Sequence, residues 1–153
     1  MSLTADLIER LEQEIPSYNV RPLSLNDFEA LCVAEGIITF EHTMPARGWY
    51  FVIKGVPFIV INKHLSPGHK TFIGFHEYFH HKYHPGGHLY YKTLAMENKI
   101  ELQASVMAAI AIIPTAGLAL DLIGGESVPE KYNIPIHLAE FRLMVHRVYE
   151  RWD

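Results

Sequence analysis

The chain has 153 residues and a mass of 17.5 kDa, 49% hydrophobic and 20% charged, which describes one globular domain and excludes a disordered polymer. A net charge of −4 gives no basic excess for nucleic acid, and the lone Cys32 excludes an intrachain disulfide framework. The opening residues carry Asp6, Glu9, Arg10, Glu12 and Glu14 instead of an apolar leader, so the expectation is a cytoplasmic, reduced protein.

In chain order, Leu3, Leu7, Ile8, Leu11 and Ile15 recur at helical spacing until Pro16 stops them. A second helix follows Ser24-Leu25-Asn26-Asp27, a side-chain cap with an acid three residues on. It carries Phe28, Leu31 and Cys32 inward and ends at Gly36. Composition then turns β-branched and aromatic. Ile37–Phe40, Trp49–Ile53 and Phe58–Ile61 read as three short strands, with Lys54-Gly55 as the turn between the last two. They are expected to form a small antiparallel sheet.

Ser66-Pro67 opens a third helix, running to about Tyr83 before Pro85-Gly86-Gly87. Its apolar stripe is Phe72, Phe75, Phe79 and Tyr83. A fourth helix covers about Leu94 to Ile113, a short one follows Pro114 to Ile123, and a last one covers about Ile136 to Trp152. The uncharged run from Leu102 to Leu120 is long enough to raise the question of a membrane span, but Pro114 divides it. Two core helices meeting at that proline are expected, and no membrane. The class is α+β, a single domain over 1–153 with helices around one small sheet.

Seven of the ten histidines fall between His64 and His88, and the third helix contains His76-Glu77-Tyr78-Phe79-His80. Residues four apart stack on one helix face, so both imidazoles can address one metal ion, while Glu77 reaches a water beside it as general base. On the fourth helix Glu101 precedes a buried apolar run, where a carboxylate is costly unless paired or metal-bound. Glu97, one turn earlier, reads as solvated. Ser105, one turn after Glu101, can hydrogen-bond a ligand histidine. His84 repeats the four-residue step and reads as supporting the site without ligating. His88, Tyr90 and Tyr91 are candidate donors to a developing oxyanion.

From Phe58-Ile59-Val60-Ile61-Asn62 through His76-Glu77-x-x-His80 and His84 to Glu101-x-x-Ala104 and Ile112-Ile113-Pro114, the sequence resembles the ImmA/IrrE-type metallopeptidases. Val128–Pro135 and Phe141-Arg142-Leu143 resemble the family's closing helices. The resemblance implies a zincin-like fold, a Zn2+ cofactor held by His76, His80 and Glu101, and Glu77 as the catalytic acid/base. Where the family usually carries Asn or Asp, this chain has Ser105. It further implies a zinc metalloendopeptidase making limited cuts in a protein or peptide substrate, typically a helix-turn-helix transcriptional repressor. An extended substrate would pair with a sheet edge around Phe58 to Ile61. The alternative is a weak or inactive zinc-binding regulator that acts by docking on a protein partner. The sequence leaves the oligomeric state open.

Overall fold

A computed structural model describes residues 3–84 and 94–150. The chain order is α1 (Leu3–Glu14), α2 (Leu25–Ala34), β1 (Ile38–His42), β2 (Gly48–Ile53), β3 (Val56–Asn62), α3 (Pro67–Tyr83), α4 (Leu94–Ile112), α5 (Thr115–Gly124), α6 (Val128–Tyr132) and α7 (Ile136–Val145). A π-helical turn, His146–Glu150, follows α7. The α+β class expected from the sequence is the one found.

Local chemistry sets most of these boundaries. Ser24 and Asp27 form a reciprocal cap at the start of α2: Asp27 N–H donates to Ser24 Oγ at 3.2 Å, and Ser24 N–H to the Asp27 carboxylate at 2.7 Å. Gly36, at φ 72°, takes the left-handed conformation that turns the chain from α2 into the sheet. Pro67 occupies the first turn of α3, where its missing N–H costs nothing. The five-residue α6, with Pro129 in its first turn, lies within the Val128–Pro135 stretch that resembles the family's closing helices.

The sheet differs from the expectation in one respect. Its strand order is β1-β3-β2, with β2 antiparallel to β3 but β1 parallel to it. The segment between β1 and β2 does not fold back as a hairpin; it crosses the end of β3. Asn62, the last residue of β3, holds that crossing. Its side-chain amide donates to the carbonyls of Met44 (3.0 Å) and Ala46 (3.2 Å), and its backbone N–H donates to Arg47 O at 2.8 Å. Asn62 thus satisfies the carbonyls that a crossover would otherwise leave without partners. A second correction follows. Phe58–Ile61 lies in the central strand, paired on both sides, and offers no edge to a substrate.

The helix α3 packs beneath the sheet, with α2 and α4 on either side. Phe72, Phe75 and Phe79 are buried, as the stripe predicts, and meet Phe28 of α2, Tyr18 and the inward residues Ile59 and Ile61 of β3 in one core. Gly74 allows the close approach: a Cβ there would lie 3.1 Å from the Phe28 ring and 3.2 Å from Ile61. The uncharged run is buried from Val106 to Ile113, and α4 and α5 meet at a bend of 64°. No single helix among the described residues is long and apolar enough to cross a membrane.

The bend is secured from the C-terminal end. Arg142, only 1% exposed, donates through Nε to Ile113 O at 2.8 Å and makes a two-pronged pair with Glu150 at 2.9 and 3.2 Å. Thr115 Oγ1 donates to the same Glu150 carboxylate at 2.6 Å. The sequence reading carries a last helix on to Trp152. The α-helix instead ends at Val145, and the wider π turn brings Glu150 within reach of both partners; Trp152 lies outside the described residues.

Candidate metal centre

The helix α3 presents His76 and His80 one above the other, towards α4, because Phe72, Phe75 and Phe79 fix its rotation. The facing turn of α4 supplies Glu101. Nε2 of His76 and Nε2 of His80 lie 3.2 Å apart, and each lies 2.9 Å from one oxygen of the Glu101 carboxylate. His76 and His80 are buried, and Glu101 is half-buried.

The outer nitrogens are held as well. His76 Nδ1 lies 3.1 Å from Ser105 Oγ, the contact that the one-turn spacing from Glu101 predicts. His80 Nδ1 lies 3.0 Å from His84 Nδ1, and His84 Nε2 lies 3.0 Å from Gln103 Oε1. With the Nδ1 protons directed to Ser105 and His84, both Nε2 lone pairs and the Glu101 carboxylate converge on one point. Three acceptors facing one another repel unless a cation lies among them. The spacing fits such an ion: tetrahedral bonds of about 2.0–2.1 Å separate ligand atoms by about 3.3 Å. His76, His80 and Glu101 are therefore a possible metal site.

Burial would raise the Glu101 carboxyl, but hydrogen bonds and charge from His76 and His80 outweigh it and hold the group well below the ordinary carboxylate range. Those hydrogen bonds need a proton on Nε2, the place that a metal cation takes when the imidazoles ligate through that nitrogen. Burial pushes His84 below its usual value, and the Gln103 contact opposes this only in part.

A cavity of about 550 Å³ opens onto this cluster. Its walls are Pro45, Ala46, Arg47 and Gly48 on one side, Phe72, Ile73, His76 and Glu77 of α3 along the floor, and Glu101 and Ser105 opposite. Glu77 is buried but reaches the cavity. The crossing loop explains the Pro45–Gly48 wall, and Gly48 makes it fit. A Cβ at residue 48 would lie 2.3 Å from Ile73 Cγ2 and 3.6 Å from Glu77 Cγ, so the backbone of β2 rests directly on α3 beside Glu77.

Residues 35–144 match the model of the peptidase M78 family, described as the IrrE N-terminal-like domain. The chain belongs to that family. The match confirms the resemblance read from the motif and extends it upstream to the end of α2, taking in the whole sheet. No curated protein and no solved structure matches the chain.

In this M78 domain the structure brings together His76, Glu77, His80, Glu101 and Ser105, all singled out in the sequence, and places His84 behind His80. Glu97 is not part of the cluster. His88, Tyr90 and Tyr91 lie outside the described residues. Two features escaped the sequence reading. Gln103 could have been found as an amide inside an uncharged, buried run. The Pro45–Gly48 wall carried no signal beyond its turn-forming residues, because its position depends on the crossover.

Proposed function

We propose that this protein is a zinc-dependent endopeptidase, with Zn2+ held by His76, His80 and Glu101 and with Glu77 as general base. The observation that supports this most directly is the convergence of two imidazole nitrogens 3.2 Å apart, each 2.9 Å from one oxygen of the Glu101 carboxylate, beside an open cleft, with Glu77 next to His76. Membership of a metallopeptidase family supports the same reading. Nitrogen and carboxylate donors suit zinc, and a zinc ion at such a site supplies Lewis acidity, acidifying water and polarising a carbonyl.

The protein's own residues supply the rest. His76 and His80 are kept in the metal-binding tautomer by Ser105 and His84. Glu77 takes the proton from the attacking water and passes it to the departing amine, as befits a carboxylate whose surroundings exclude most bulk water. The open cleft admits a polypeptide, and the edge of β2 that no other strand pairs among the described residues, and whose first residue Gly48 lines the cleft, offers backbone groups to an extended substrate. A protein substrate cut at few positions, such as a helix-turn-helix repressor, fits this arrangement.

The test is digestion of denatured casein by zinc-loaded protein, followed by mass spectrometry. Cleavage by the wild type is expected, with loss of about two orders of magnitude or more in Glu77→Gln at unchanged zinc content. Equal cleavage by that variant would remove Glu77 from its role. No cleavage by the wild type would favour a zinc-binding regulator.

A further inference from the structure

Charge is distributed unevenly along the chain in a way that bears on the cleft. From His42 to His76 there are four of the 13 basic residues, Arg47, Lys54, Lys63 and Lys70, and none of the 17 acidic ones. That segment is therefore +4 and the remainder −8. It forms β2, β3, the crossing loop and the first half of α3, and supplies one wall of the cleft and part of its floor.

Within the segment the cations differ in availability. Lys70 is paired with Glu41 at 2.7 Å. Lys54 sits in the β2–β3 turn, at the opposite end of β2 from the cleft. Arg47 is exposed and lines the cleft beside Gly48, and among the described residues no carboxylate lies within ion-pair distance of it. Its charge reaches across the first turns of α3: burial is the main cause that lowers His69 to about 4, and Arg47 is the next. His69 is thus neutral near pH 7 and does not compete with Arg47 for an anion.

We propose that Arg47 selects the substrate, favouring an extended peptide with aspartate or glutamate in the stretch that lies over the start of α3, beside the scissile bond. A guanidinium presents paired N–H donors that match a carboxylate, and the apolar wall of Phe72 and Ile73 shields one side of the contact from water. This inference rests on the peptidase reading, whose own test is the casein digestion.

Binding is read without turnover, on zinc-loaded Glu77→Gln protein, by fluorescence anisotropy. The probes are two labelled peptides identical except that the glutamates of one are lysines in the other. The glutamate peptide is expected to bind about ten-fold more tightly at low salt. Arg47→Ala removes the preference, Arg47→Glu reverses it, and Lys54→Ala leaves it unchanged. Equal binding of the two peptides, no binding of either, or a preference that survives Arg47→Glu overturns the proposal. The casein cut sites separate it from the peptidase reading. Cuts with no enrichment of acidic neighbours sink the Arg47 proposal alone. A charge preference in binding without any cleavage sinks the peptidase reading and leaves Arg47 as an anchor for acidic peptides.

Discussion

Nδ1 of His80 lies 3.0 Å from Nδ1 of His84, and the far nitrogen of His84 lies 3.0 Å from the Gln103 carbonyl oxygen. This chain runs from a proposed metal ligand into the interface of α3 and α4. It fixes which nitrogen of His80 carries the proton and so leaves Nε2 as a lone pair. Supports of this kind typically contribute ten- to a hundred-fold in metal affinity. His84→Ala is expected to weaken zinc binding by about that factor in a competition titration with a chelating dye. An unchanged affinity would show that His80 is oriented by packing alone.

The contact between Gly48 and Ile73 allows a test of the cleft wall. A Cβ at residue 48 would lie 2.3 Å from Ile73 Cγ2, so Gly48→Ala must push β2 away from α3. Overpacking of this kind costs about 1–3 kcal/mol. Gly48→Ala is expected to lower both the urea midpoint and the casein cleavage rate, and pairing it with Ile73→Ala should relieve part of the first effect. Equal destabilisation in the single and double variants would mean that the strain lies elsewhere.

Most of the fold and most of the candidate metal site were legible because they depend on local periodicity. The Phe72–Phe75–Phe79 stripe sets the rotation of α3, and that rotation carries His76 and His80 to one face. Glu101 was legible as a carboxylate at the threshold of an apolar run, and Ser105 from one helical turn. What could not be read depends on topology. The parallel pairing of β1 with β3 arises from a loop held by Asn62 across a strand end, and no spacing in the sequence encodes that crossing. The same crossing brings Arg47 to the cleft and removes Phe58–Ile61 from the sheet edge. The π turn is a further case: it depends on the buried Arg142 drawing Glu150 inward, a contact between the last helix and the α4–α5 bend.

Acid sensitivity has an identifiable contributor. His69 is lowered from 6.5 to about 4, mainly by burial and then by Arg47 and His137. The unfolded chain therefore binds a proton that the folded chain excludes between those values. Stability from this residue is full above about pH 6.5 and is lost as pH falls towards about 4. After allowance for solvent screening the loss amounts to about 1 kcal/mol. Urea unfolding of wild type and His69→Phe at neutral and mildly acidic pH should show a shallower acid loss in the variant. Parallel losses would assign the effect to other groups.

The account stands or falls on the metal. Elemental analysis of protein purified without a histidine tag or added metal, then dialysed against zinc and desalted, measures it directly. About one zinc per chain is expected. It should be lost or greatly reduced in His76→Ala, His80→Ala and Glu101→Ala and retained in Glu97→Ala, a residue outside the cluster. A wild-type protein that holds no zinc after dialysis, or one whose zinc survives Glu101→Ala but not Glu97→Ala, would contradict the assignment of His76, His80 and Glu101 as the centre.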